Sequence, residues 1–345
     1  MNRASHLWTF VRRPGWRLVV PLALFAALVG LGYTLWSPGA EVTDGRHDLG
    51  RNGMWLQHGW MSDDAWFERN QKKDRIPQFR DPARIAELAQ RLREHHITDV
   101  FTHMAPATLE GRLPPIDAEQ TERFLQGMEG FRVMPWIGGA LNDHCFPKIP
   151  GWRAAFARSV QELLQAHPRL SGVHLNIEPW PSGHPELLLL LEEIRAVMPP
   201  GKLLSVAAYP PPTRWHPYPE VHWEADYYRE VSRRTDQLAV MMYDTALRRK
   251  KVYTWLMAEW TQEILAASGT TPVLLGLPAY EDEGVGYHHP EVENLRGGLP
   301  GIHAGLASGG VPANYQGVAL YSDWVMDDGE WRHFREHFLK PTAAR

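Results

Sequence analysis

Gly172-Val173-His174-Leu175-Asn176-Ile177-Glu178, then Pro185–Val197 (PELLLLLEEIRAV), then Leu203-Leu204-Ser205-Val206-Ala207-Ala208-Tyr209 form one repeating unit of the chain. The two outer runs are short, apolar and of strand length. The middle one is longer and has helical periodicity. The same alternation extends outward on both sides. Apolar runs at 53–60, 98–105 and 132–139 precede the unit, and runs at 237–244, 272–280 and 317–324 follow it. Helical patterns occupy 82–95, Ala118–Gly127, 152–167, 223–234, 252–267, 291–307 and 329–339. Strands alternating with helices predict a parallel sheet, and eight such units predict a closed α/β fold, a (β/α)8 TIM barrel over 52–345. No Gly-x-Gly-x-x-Gly follows the first strand, which removes the main dinucleotide-binding alternative.

The chain of 345 residues is 44% hydrophobic and 22% charged, enough to bury a sizeable core. Its net charge of -4 argues against a binder of nucleic acid driven by phosphate contacts, which needs a clustered basic face. Cys145 is the single cysteine, so neither an intrachain disulfide nor a cysteine zinc cluster can form. The 15 Trp suit stacking on sugar rings, although indoles fill cores equally well. Residues 18–36 carry no charge and follow Arg3, Arg12, Arg13 and Arg17. That pattern predicts a cytoplasmic basic N-terminus over 1–17, a transmembrane signal-anchor over 18–36 and a linker over 37–51. The membrane is therefore an expected partner, with the barrel on the extracytoplasmic (periplasmic) side. A cleaved signal peptide is the rival reading, against which Pro38 makes a poor cleavage site.

In barrels of this kind chemistry sits at the C-terminal strand ends. On the fourth strand His174, Asn176 and Glu178 share one face, because strand side chains alternate. Three polar groups on an inward face must be paired or used, so a hydrogen-bonded structural cluster and a catalytic site both stay open. Trp60, Trp136, Trp180, Tyr209, Tyr280, Tyr321 and Trp324 fall at or just past strand ends, where they and His174 are candidate substrate-binding residues. His103, His144 and His174 lie near strand ends without His-x-x-x-His or His-Glu-x-x-His spacing, so no catalytic metal and no cofactor is expected. His288 and His289 stand in a polar loop and read as a solvated pair.

These strand ends resemble glycoside hydrolase family 18, the chitinase family. That family carries Asp-x-x-Asp-x-Asp-x-Glu on its fourth strand; this chain has Ser171, His174, Asn176 and Glu178 there. The similarity continues in Ile137-Gly138-Gly139, in Met241-Met242-Tyr243-Asp244, in Gly276-Leu277-Pro278-Ala279-Tyr280 and in Gly317-Val318-Ala319-Leu320-Tyr321. Asn176-Ile177-Glu178 also resembles the endo-β-N-acetylglucosaminidases of family 85, which place asparagine two residues before the acid. The resemblance implies a glycosidase on a polysaccharide or oligosaccharide containing N-acetylhexosamine. It implies substrate assistance, with Glu178 as acid and base, and Asn176 and Tyr243 on the acetamido group. Asp244 would contact substrate or tune Glu178. Two other readings remain: a barrel that binds carbohydrate without cutting it, and a glycosidase with a second carboxylate at Asp244, Glu281 or Asp323.

Overall fold

The computed structural model describes residues 16–61, 63–214, 220–280 and 286–341. Arg3, Arg12, Arg13 and Glu281 lie outside them. The chain divides into two units, Met1–Pro38 and Gly39–Arg345. Among its described residues the first contains one helix, Trp16–Leu35, whose window Leu18–Leu35 has a mean hydropathy of 2.2 and leaves its side chains exposed. Of residues 37–51, expected as linker, 39–51 group with the second unit. Val42, His47 and Asp48 are buried there, with Asp48 accepting from the amides of Gly50 and Lys340.

The second unit is built on one sheet of nine parallel strands: β1 (Asn52–Leu56), β2 (Ile97–Thr102), β3 (Arg132–Val133), β4 (Trp136–Ala140), β5 (Gly172–Glu178), β6 (Leu203–Ala208), β7 (Gln237–Met241), β8 (Val273–Pro278) and β9 (Tyr315–Tyr321). Their order is β3-β2-β1-β9-β8-β7-β6-β5-β4. The two ends of that order, β3 and β4, are halves of one position. Met134 and Pro135 separate them, and Pro135 has no amide hydrogen to give to a ladder. Hydrogen bonds from Met134 N to Val100 O and Met104 N to Trp136 O tie this position to β2. Others from Ser171 N to Val133 O and His174 N to Pro135 O tie it to β5. The sheet therefore curls back on itself, consistent with the expected barrel, and β5 is its fourth position.

The helices pack around the sheet near their expected positions, with side chains closing several N-termini. Asp81 accepts from Ala83 N, Asp117 from Gln120 N, and Asp327 forms a capping box with Glu330. The connection from β1 to β2 adds short helices at Asp64–Arg69 and Ile76–Arg80 that the sequence pattern does not announce. The expected strands overrun their C-terminal ends. Residues such as His58, Tyr243 and Asp244 leave the ladder and form the rim.

Inside the sheet runs a chain of paired polar groups. Trp55 Nε1 donates to His174 Nε2 at 3.1 Å, so the proton of that imidazole sits on Nδ1, 2.9 Å from Ser205 Oγ. Ser205 donates in turn to Gln237 Oε1 at 2.7 Å. The amides of Gln237 and Gln316 reach Asp99, which also takes two hydrogen bonds from Arg132. The register makes this possible, since His174 pairs with Ser205 and Ser205 with Gln237 on adjacent strands. His174 is thus a fully buried member of an internal network.

Candidate active site

At the C-terminal end of the sheet a cavity of about 700 Å³ opens. Glu178, the last residue of β5, faces into it, and Asn176 lies one pleat deeper on the same side. Asn176 Nδ2 donates to Glu178 Oε1 at 2.6 Å. Its Oδ1 is buried with no partner among the described residues. Glu178 is open to the cavity yet walled by protein. That desolvation raises its pKa; the Asn176 amide works against the rise, and the negative charge of Asp244 adds to it.

Glycine lets β4 lie against this pair. Gly138 is in register with Asn176 and has φ +130, and a Cβ there would stand 2.1 Å from the Asn176 carbonyl oxygen. A second chamber of about 210 Å³ follows, bordered by His103, Gly138, Gly139, Asn176 and Glu178.

Beyond β7 the chain brings Tyr243 and Asp244 into the cavity, with Asp244 at φ +61. Asp244 Oδ1 accepts from the Tyr280 hydroxyl and lies 3.2 Å from His288 Nδ1. Tyr243 stacks on Tyr321, with ring centroids 5.6 Å apart, and meets Tyr280 edge-on. Trp136 and Trp55 each present an edge to Tyr321. Tyr209 completes this aromatic wall. Burial raises the pKa of Tyr243, Tyr209 and Tyr280, so all three stay neutral donors.

Of the residues singled out from sequence, Glu178, Asn176, Tyr243, Asp244, Trp136, Tyr209, Tyr280 and Tyr321 are brought together here. Four others are not. His174 sits in the internal network. Trp60 is buried between Phe79 and Phe124. Trp180 is fully buried, donating to the Tyr227 hydroxyl at 2.6 Å and packing edge-on to Trp223. Trp324 is 38% exposed against the edge of Tyr321, outside the cavity wall. Trp55, on the inward face of β1, lines the cavity although sequence reading passed over it; alternation from Gly53 would have found it.

His288 needs correction. It is buried rather than solvated, because Nε2 donates to the Tyr280 carbonyl while Nδ1 faces Asp244 and, at 3.9 Å, Glu293. Burial lowers its pKa, but the two carboxylates outweigh that and raise it overall. Glu293, buried beside it, is pushed up to about 7. Asp323 does not line the cavity; it accepts from Gln57 N and burial pushes it up to about 7. Among the described residues, two sets of histidine and carboxylate donors converge within 4.8 Å: Asp244 with His288 and Glu293, and His58 with Asp63 and His103.

No family model and no curated protein matches the chain by sequence. By structure it is similar to the spore cortex-lytic enzyme SleL of Bacillus cereus, with a TM-score of 0.54 and 10% identity over 84% of this chain and 74% of that one. It is similar to a fungal endo-β-N-acetylglucosaminidase from glycosyl hydrolase family 18, with a TM-score of 0.52 and 16% identity over 85% and 99%. A chitinase from Bacteroides thetaiotaomicron gives a TM-score of 0.50 and 13% identity over 89% and 99%. At these identities the likeness is one of fold.

Proposed function

We propose that this chain is a glycosidase that cleaves a glycan containing N-acetylhexosamine, by a retaining, substrate-assisted mechanism. The observation that carries the reading is the Asn176–Glu178 pair. It joins a carboxyl biased toward its acid form to an amide oxygen left without a partner, in an aromatic-walled cavity. The named neighbours of the same fold, a cortex-lytic enzyme, an endo-β-N-acetylglucosaminidase and a chitinase, support it.

In this mechanism the acetamido oxygen of the substrate attacks its own anomeric carbon. The glycosidic C–O bond breaks as Glu178 gives its proton to the leaving oxygen. Glu178, now a carboxylate, takes a proton from the water that opens the cyclised intermediate, and its acid form is restored. The free Oδ1 of Asn176 is an acceptor suited to the acetamido N–H. The Tyr243 hydroxyl is a neutral donor suited to its oxygen. Asp244, held by Tyr280 and His288, keeps a negative charge near Glu178 and near the positive charge that develops on the ring. The aromatic rings supply flat apolar faces for sugar C–H surfaces.

The expected result is release of reducing ends from an N-acetylated glycan by the purified chain. Glu178→Gln should lower that rate by about 100- to 10,000-fold, as for loss of a general acid, with glycan affinity in calorimetry retained. Binding without turnover in the unmodified protein, on every N-acetylated polymer tried, would replace this reading with a carbohydrate-binding barrel. We further propose that Trp16–Leu35 holds the barrel at the membrane on its extracytoplasmic side, on the strength of its length, its hydropathy and the arginines before it.

A further inference from the structure

We infer that His58, Asp63 and His103 form a binding site for a first-row divalent metal ion, with zinc the best match. The site does not include Glu178 and does not depend on the proposed activity. Its three side chains come from separate places. His58 follows β1, Asp63 precedes the helix Asp64–Arg69, and His103 follows β2. Their donor atoms nevertheless lie within 4.8 Å of one another. Asp63 Oδ2 is hydrogen-bonded to His58 Nδ1 at 2.5 Å, a bond that an ion would replace, and lies 3.5 Å from His103 Nδ1.

Two unmet polar atoms point to a missing partner. Asp63 is only 5% exposed, yet among the described residues its Oδ1 has no hydrogen-bond partner, and the buried His103 Nδ1 has only the distant Asp63 Oδ2 at 3.5 Å. Buried polar groups are ordinarily paired, and leaving them unpaired costs stability. A cation between the three groups would meet both. The rings are also held in place. His58 stacks on Trp66 at 4.4 Å, the two imidazoles lie 3.7 Å apart, and His103 meets the edge of Trp136 at 4.4 Å. Fixed imidazoles lose little freedom on taking a ligand.

Two imidazoles and one carboxylate favour zinc and its neighbours over magnesium or calcium, which seek oxygen donors. Three protein donors leave a fourth position for water. His103 also borders the 210 Å³ chamber beside Asn176 and Glu178, so the ion would sit on the wall next to the main cavity. The other converging set, Asp244, His288 and Glu293, is a poorer host. It offers one imidazole against two carboxylates, and both carboxylates already accept from protein donors, Asp244 Oδ1 from the Tyr280 hydroxyl and Glu293 Oε2 from Thr245 N.

The test uses the full chain, stripped with a chelator and titrated calorimetrically with Zn2+. One ion per chain is expected to bind tightly. With Co2+ the same site should give the visible ligand-field absorption of nitrogen and oxygen donors. His103→Ala should raise the Kd for zinc by about tenfold or more. His58→Gln, at a side chain that remains partly solvated, should do the same while circular dichroism confirms the fold. Absence of stoichiometric binding would overturn the site. So would equal affinity in a folded His58→Gln variant, because the ion would then be held by other histidines.

Discussion

Two neighbours pull the proton of Glu178 in opposite directions. The Asn176 amide stabilises the carboxylate, whereas burial and the charge of Asp244 favour the acid. A general acid must be protonated to act, so the alkaline limb of kcat/KM follows the pKa of Glu178 in the free enzyme. Asp244→Asn removes one of the groups that raise this pKa. The acid form is then lost earlier as pH rises, and the alkaline limb moves to lower pH. A pH profile of kcat/KM checks this, and a limb that stays put or moves upward would remove Asp244 from that role. Glu178 and Asn176 are visible in the sequence because strand alternation and strand ends are local properties, and Asp244 through the family resemblance of Met241-Met242-Tyr243-Asp244. His288 is not, because what buries it and raises its pKa is its contact with Asp244 and Glu293, which arrive from elsewhere in the chain. Read alone, His288-His289 in a polar loop looks solvated.

A strand end says where the chain leaves the ladder, and the turn that follows decides where the next side chain goes. Trp136 and Tyr321 stay within β4 and β9 and keep the inward face that alternation gives them. Trp60 and Trp180 lie past the ends of β1 and β5, and the turns carry both into packing against helices. The order of strands and helices was legible because periodicity is repeated many times over. The short helices Asp64–Arg69 and Ile76–Arg80 were not, since a turn or two of helix is too brief to show a period. Leu18–Leu35 is the opposite case, long and free of charge, with no charged face to turn toward water. If it anchors the chain, the protein should stay with membranes through alkaline carbonate washing. N-terminal sequencing should then find residues upstream of Leu18. A soluble product beginning after Trp36 would identify the segment as a cleaved signal instead.

The second unit buries histidines and carboxylates whose pKa values are shifted toward the neutral form, and their pH effects oppose each other. Burial holds His174 at about 3 and His303 at about 4, while Asp323 and Glu293 are pushed up to about 7. Below pH ~6.5 the unfolded chain takes up a proton on each such histidine that the folded chain refuses. Stability from these groups therefore falls as pH drops. The carboxylates behave in reverse: the folded form holds protons that the unfolded form releases above pH ~4, so their contribution falls as pH rises. The overall pH dependence mixes the two, and only a difference between variants isolates one group. His174 is the best choice, being fully buried with its tautomer fixed by Trp55 and Ser205. That network spans β1, β5 and β6 and continues to β7, which is why the sequence could show three polar residues on one face without saying which was structural. His174→Gln removes the titration and keeps a polar side chain of similar reach. The stability of the natural protein relative to this variant should shrink by about 1.4 kcal/mol for each pH unit below ~6.5, or ~2 kcal/mol by pH ~5. Urea unfolding at several pH values measures that difference. A constant difference from neutral pH down to ~5 would mean that His174 accepts a proton in the folded state, and that the Trp55 N–H does not hold its Nε2 as an acceptor.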